Sequence, residues 1–290
     1  MEKITSFFSS IANLARFVFW ILLIGIILLN WISNPSLEVK RNQMLEAIQN
    51  ARGSRVITLV HRQETMSLLG IPVSTYIDID DAEAILRAIR LTPAEKPIDL
   101  ILHTPGGLVL AASQIAQALQ NHKGKVTVFI PHYAMSGGTL IALAANEIIM
   151  DPHAVLGPVD PQIGDLPAAS ILRAVKTKGP EKVEDQTLIL ADISAKAINQ
   201  LASQVTSLLE KRLPKDKAET LAALISTGQF THDFPITVEL AKSVDLPIKT
   251  DMPEAIYKLM DFYPQSGARR PSVNYVPLKK QSAHGLQSAE

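Results

Sequence analysis

Between Ile98 and Met150 the chain alternates short apolar runs with helical stretches so regularly that few folds can hold it. Ile98 to Leu102 and Val126 to Ile130 are apolar-leaning runs of strand length, the pattern of strands buried on both faces. Leu108 to Leu119 carries alanine, isoleucine and leucine on one side, Thr139 to Ala145 reads as a second helix, and Glu147 to Met150 returns as a third strand. Strand, helix, strand, helix, strand with short loops implies parallel pairing, right-handed crossovers and an α/β fold. Loops at the carboxyl edge of such a sheet are where ligands gather. Two glycine-bearing turns must therefore become neighbours there: His103-Thr104-Pro105-Gly106-Gly107, and the turn that runs from Ile130 through Ser136 to Gly137 and Gly138.

A serine between a strand and a helix, followed by glycines, has the makings of an activated nucleophile. The small residue lets backbone N–H groups approach a substrate, and the turn points them outward. Acyl transfer needs a nucleophile, a base and donors aimed at the developing oxyanion. Ser136 is the candidate nucleophile; the N–H of Gly137 and an N–H from Gly106 or Gly107 are candidate donors. Either turn alone would read as a plain tight turn. Their occurrence one strand–helix unit apart favours chemistry.

The N-terminal region is of another kind. Phe17 to Leu37 holds no charged residue and would make a helix about 30 Å long, enough to cross a bilayer core. Trp20 and Trp31 lie toward its ends and Pro35 closes it. The run is long for a signal-peptide core and no Ala-x-Ala site follows, so a single-pass membrane anchor is expected. More basic residues follow the span (Lys40, Arg41, Arg52, Arg55) than precede it (Lys3, Arg16), which places the large domain in the cytoplasm. Lys and Arg total 28 against 28 Asp and Glu, so no nucleic-acid partner is expected. The absence of cysteine removes disulfides, a cysteine nucleophile and thiolate zinc sites.

Around the central unit, Leu37 to Ala51 has helical spacing and ends near Gly53, and Ser54 to Val60 reads as a strand. Asp80 and Asp81 are expected to cap a helix with Ala84, Ile85, Ala88 and Ile89 on its apolar face. Leu166 to Ala174, Thr187 to Leu213, Lys217 to Ile225 and Ile236 to Ser243 read as further helices, with an exposed basic loop at Lys176, Lys178 and Lys182. Asp233 is read as a helix cap, and His153 as part of a turn. His103 and His132 flank the glycine turns and could reach substrate or satisfy local backbone. No histidine has metal-ligand spacing, so no metal is expected.

The paired stretches LHTPGGLVLAASQIAQAL and IPHYAMSGGTLIALAANEIIMDPHAVLGPVDPQ, together with VITLVHRQE, YIDIDDAE, DQTLILAD and GQFTHDFPI, resemble the serine dehydrogenase proteinases. These are membrane-anchored relatives of the Clp protease subunit and of signal peptide peptidase A. The resemblance covers Arg55 to about Pro247. It implies a Clp/crotonase-like α/β fold with βαβ units behind the transmembrane helix. Residues 1–37 would be the anchor, 38–53 a linker helix, 54–262 the peptidase domain and 263–290 a poorly ordered tail. It also implies a serine peptidase acting on peptide or protein substrates without a cofactor, assembled as a homo-oligomer.

Carried across motif by motif, the resemblance makes Ser136 the nucleophile, Gly106, Gly107 and Gly137 the oxyanion donors, and Asp160 and His232 the partners in a Ser–Asp–His order along the chain. Where a Clp subunit would carry its base, near Pro161 and Gln162, there is no histidine. The lysine base of signal peptide peptidase A relatives makes Lys178 and Lys176 alternatives, against which their exposed setting argues. Two other readings keep the fold: a membrane scaffold without turnover, and crotonase-like chemistry on an acyl-CoA thioester.

Overall fold

The structure is a computed structural model that describes residues 17–22, 36–61, 66–68, 71–73 and 75–263 of the chain. A helix, α1 (Leu37–Arg52), leads through Gly53 in the left-handed conformation into β1 (Arg55–Val60). A short hairpin, β2 (Met66–Leu68) with β3 (Ile71–Val73), is followed by α2 (Ile79–Arg90). The expected alternation then appears as β4 (Ile98–His103), α3 (Val109–Asn121), β5 (Val126–Ile130), β6 (Tyr133–Ala134), α4 (Gly137–Ala142) and β7 (Glu147–Met150). Beyond it come β8 (Val155–Leu156), the pair β9 (Gln162–Ile163) and β10 (Leu166–Pro167), α5 (Ala168–Lys178), α6 (Asp185–Leu209) and α7 (Lys215–Ser226). The described chain closes with β11 (Ile236–Thr237), α8 (Val238–Ser243), β12 (Ile248–Lys249) and α9 (Glu254–Met260).

The central sheet has the order β1-β4-β5-β7-β12, and every pairing in it is parallel. Side chains alternate faces along each strand. Ile98, Leu100 and Leu102 of β4, with Val126, Val128 and Ile130 of β5, join the large core beneath α2, α3, α4, α6 and α7. Ile101, Phe129 and Ile149 point the other way, into a smaller core closed by Ile48 of α1 and by Ile256 and Leu259 of α9. Both faces are covered, which is why β4 and β5 read as continuous apolar runs.

That second core changes the role of the expected linker. α1 packs on the sheet rather than only joining it to the residues before it. Arg52 is bonded through Nε to Asp99 Oδ2 (2.5 Å), the carboxylate also accepts from Ser54 Oγ (2.6 Å), and the guanidinium lies 4.8 Å from the centre of the Phe129 ring.

Several local expectations need correction. The N-cap of α2 is Asp78, whose carboxylate accepts the Asp81 N–H while Asp81 accepts the Asp78 N–H; Asp80 lies inside the first turn. The 187–213 helix begins and stops earlier, at Asp185 and Leu209, and Pro214 serves as N-cap of α7. Ile236 and Thr237 form a strand, and Thr237 rather than Asp233 caps the short helix after it by accepting the Leu240 N–H (3.3 Å). A capping box decided the first of these boundaries and a β-branched pair the last, where helical spacing alone did not.

Of the apolar run, residues 17–22 are helical and 23–35 lie outside the described residues, as does the 264–290 part of the expected tail. Among the described residues no helix is long and apolar enough to cross a membrane.

Arg52→Ala should cost about 2–4 kcal/mol in urea unfolding, because it leaves the Asp99 carboxylate buried with one hydroxyl donor. A loss under about 0.5 kcal/mol would mean that the pair behaves like an exposed one.

Candidate active site

The two glycine turns leave adjacent strands and are tied together by backbone hydrogen bonds. Thr104 N–H donates to the Tyr133 carbonyl (3.2 Å) and Met135 N–H to the Thr104 carbonyl (2.9 Å), forming a parallel bridge between Thr104 and Ala134. The approach is close enough to require glycine. A Cβ on Gly106 would lie 2.8 Å from the Cβ of Ser136. Gly107 has φ +156, and a Cβ there would lie 2.3 Å from the carbonyl oxygen of Ile77.

Ser136 stands at the N-cap of α4 with φ 48 and ψ −116, a conformation that costs a residue bearing a Cβ on the order of 1–3 kcal/mol. Its hydroxyl neither caps the helix nor makes any other hydrogen bond among the described residues. The helix behind it is braced from both ends. Thr139 Oγ1 accepts the Gly157 N–H (3.1 Å) and lies 2.8 Å from the Ala134 carbonyl oxygen. At the far end the Arg212 guanidinium donates to the Leu143 carbonyl, and burial pushes its pKa down to about 10.

Two free backbone donors lie in the same cleft as the hydroxyl. Gly137 holds the first N–H of α4, which has no acceptor inside the helix. Neither it nor the Gly107 N–H is hydrogen-bonded among the described residues, and a Cβ on Gly137 would lie 3.6 Å from the Gly107 nitrogen. The Gly106 N–H is different. It donates to Thr104 Oγ1 (3.2 Å) and so supports the turn from behind.

A second, three-stranded sheet assembles the remaining groups. Its order is β11-β8-β6, with β8 parallel to β6 and antiparallel to β11. Ser136 follows β6, Asp160 follows β8 and His232 precedes β11, so three distant segments reach one end of this sheet. His232 Nδ1 lies 2.8 Å from Asp160 Oδ1, and Gln162 Nε2 donates to Asp160 Oδ2 (2.7 Å). The Asp160 side chain is 3% exposed, whereas that of His232 is 36% exposed. A buried carboxylate can only accept, so the Nδ1 of His232 carries the proton and its Nε2 is left as the basic nitrogen.

Ser136, Gly107, Gly137, Asp160, Gln162 and His232 all line one cleft of about 380 Å³. Leu140, Val159 and Leu201 supply apolar wall, with Tyr76 and Leu108 at the rim.

A sequence profile described as ClpP-like SDH-type serine proteinase matches residues 5–290. The chain belongs to that family. It is 50% identical over 287 residues to "Uncharacterized protein MJ0137" of Methanocaldococcus jannaschii, covering 99% of this chain and 98% of that one. A second protein of that organism, "Uncharacterized protein MJ1495", is 55% identical over 247 residues, 84% of each chain. Among solved structures, ClpP1 from Listeria monocytogenes shares 15% identity with a TM-score of 0.45, over 72% of this chain and 99% of that one.

Within this ClpP-like family member the other candidates lie apart from the cleft. Lys176 and Lys178 are exposed in the last turn of α5. His103 is buried and stacks on the exposed His132, with ring centroids 5.5 Å apart. His153 sits in a turn where its N–H donates to Asp151 Oδ1 (2.7 Å). The motif reading missed Gln162 as a partner of Asp160, and Thr104 and Thr139 as buried struts. An amide two residues after a motif aspartate was the available signal for the first; nothing local marks the threonines.

Gly107→Ala should lower the thermal midpoint well below that of Gly164→Ala, where φ is +62 but nothing lies within 4 Å of an added Cβ. The open site carries backbone strain of about 1 kcal/mol, whereas Gly107 adds a collision with main chain that cannot yield cheaply. Equal midpoints would show that the Ile77–Gly107 approach is loose.

Proposed function

We propose that the protein is a membrane-anchored serine peptidase that hydrolyses peptide bonds through an acyl-enzyme on Ser136. The observation that carries this reading is the strained Ser136 with an uncommitted hydroxyl, lining the same cleft as His232 and the buried Asp160 that it is bonded to.

In the first half-reaction the Ser136 oxygen attacks the scissile carbonyl carbon and its proton passes to His232 Nε2. Asp160 holds the imidazole through Nδ1–H and stabilises its charged form. The carbonyl oxygen becomes an oxyanion facing the N–H groups of Gly107 and Gly137. One such donor is worth roughly 3–4 kcal/mol of transition-state stabilisation. The tetrahedral species collapses as the imidazolium gives its proton to the leaving amine. Water then attacks the ester, its proton going to Nε2, and Ser136 is released protonated. Gly106 serves this scheme from behind the turn rather than as a donor.

An extended peptide suits an open cleft with apolar wall and a polar floor. The uncharged 17–37 run supports anchoring, and the basic residues beyond it support a cytoplasmic domain, so proteins near the membrane are the natural substrates. Assembly as a homo-oligomer, and the division at residues 37, 53 and 262, belong to the same proposal.

The test is the rate of covalent labelling by a fluorophosphonate together with hydrolysis of a casein substrate. Ser136→Ala should abolish both. His232→Ala should slow labelling by about 10²-fold or more, whereas Lys176→Ala and Lys178→Ala should leave it within about twofold. Loss of labelling in a lysine variant with His232→Ala unaffected would move the base to the lysine. For the anchor, the full-length chain should float with liposomes through an alkaline carbonate wash. A chain that begins at Leu37 should stay in the dense fractions. Equal behaviour of the two would remove the membrane part of the proposal.

A further inference from the structure

His61 directly follows the strand β1 and takes no part in the chemistry above. Its main-chain N–H donates to the His103 carbonyl (2.7 Å), which sets its ring against the Thr104 turn. Nδ1 lies 2.9 Å from Thr104 Oγ1, and Nε2 lies 3.1 Å from Asp81 Oδ2. Asp81 is itself fixed, because the same oxygen accepts the Asp78 N–H in the capping box of α2. The hydrogens can be placed by elimination. An ionised carboxylate only accepts, so Nε2 carries the ring proton; Nδ1 then accepts from the Thr104 hydroxyl, whose oxygen in turn accepts the Gly106 N–H. Asp81, His61, Thr104 and Gly106 thus form one directed chain that ends behind Ser136.

We propose that His61 is a positioning residue for the Ser136 cleft. It locks Thr104 in the rotamer that holds the Gly106 N–H, and so aims the next N–H, that of Gly107, into the cleft. This rests on reading Gly107 as an oxyanion donor. The Thr104 side chain has little choice once His61 is present. The residue is fully buried, and its Cγ2 stands where a Cβ on Gly138 would lie only 2.6 Å away. Methyl and hydroxyl are therefore assigned to opposite turns, the methyl to Ser-Gly-Gly and the oxygen to Pro-Gly-Gly. Without an acceptor at Nδ1 the hydroxyl proton is left with the Gly106 carbonyl at 3.5 Å, a poor bond. Turning the hydroxyl to seek another would strand the Gly106 N–H in a buried place.

The proposal is tested on the full-length chain with His61→Leu, Thr104→Val and His61→Asn, the last keeping an acceptor oxygen near the Nδ1 position. Amide hydrogen exchange resolved at Gly106 reads the lock directly, and fluorophosphonate labelling reads its consequence. His61→Leu and Thr104→Val should each speed exchange at Gly106 about tenfold. Each should also lower the maximal labelling rate about 10- to 100-fold with the half-saturating probe concentration unchanged. The double variant should lose little more than either single one. His61→Asn should recover most of both effects, which a purely packing role would not allow. Unchanged Gly106 exchange in folded His61→Leu, or no recovery in His61→Asn, would overturn the proposal. Faster exchange in a protein whose wild type does not label would uphold the lock while removing the peptidase reading.

Discussion

The architecture of the cleft depends on one backbone contact, the Thr104–Ala134 bridge that zips two loops together beyond the ends of their strands. Parallel neighbours such as β4 and β5 bring their carboxyl ends side by side, but loops leaving them normally diverge. Here two hydrogen bonds pair the chains again beyond the last β4–β5 partners, and glycine at 106 and 107 removes the side chains that would force the chains apart. Ser136 is pressed into a positive φ as a result. Strain of this kind persists where surroundings over-determine the backbone, and Thr139, Arg212 and the parallel bridge all do so.

The small β11-β8-β6 sheet then solves a separate problem, which is to bring a histidine into the cleft of a serine 96 residues earlier in the chain. No local element could do so. Three two-residue strands, each too short to be stable alone, are ordered by the main sheet through β6 and bring Asp160 and His232 to the same end. Burying Asp160 while leaving His232 a third exposed sets them apart: the carboxylate is a fixed acceptor, and the ring keeps a face toward the cleft.

Much of this was legible from residue order. Short apolar strands and glycine turns between 98 and 150 dictate a parallel sheet, and the sheet dictates that the two turns meet. The pairing of Asp160 with His232 was reachable only through family resemblance, since nothing in their spacing of 72 residues implies contact. The backbone direction of Gly106 was not legible at all, because adjacent glycines are equivalent as letters and only the Thr104 hydroxyl distinguishes their N–H groups. Likewise α1 read as a linker because its exposed charges hide a narrow apolar stripe around Ile48 that makes sense only beneath Phe129 and Ile149.

The central claim, that two turns aim backbone donors at an atom bonded to Ser136, is tested most directly by a crystal structure of the protein after reaction with a phosphonate. The account predicts a covalent bond to the Ser136 oxygen, with the phosphoryl oxygen about 2.7–3.1 Å from the nitrogens of both Gly107 and Gly137. A phosphoryl oxygen turned to solvent with those two amides elsewhere, or an adduct on any other residue, would contradict it.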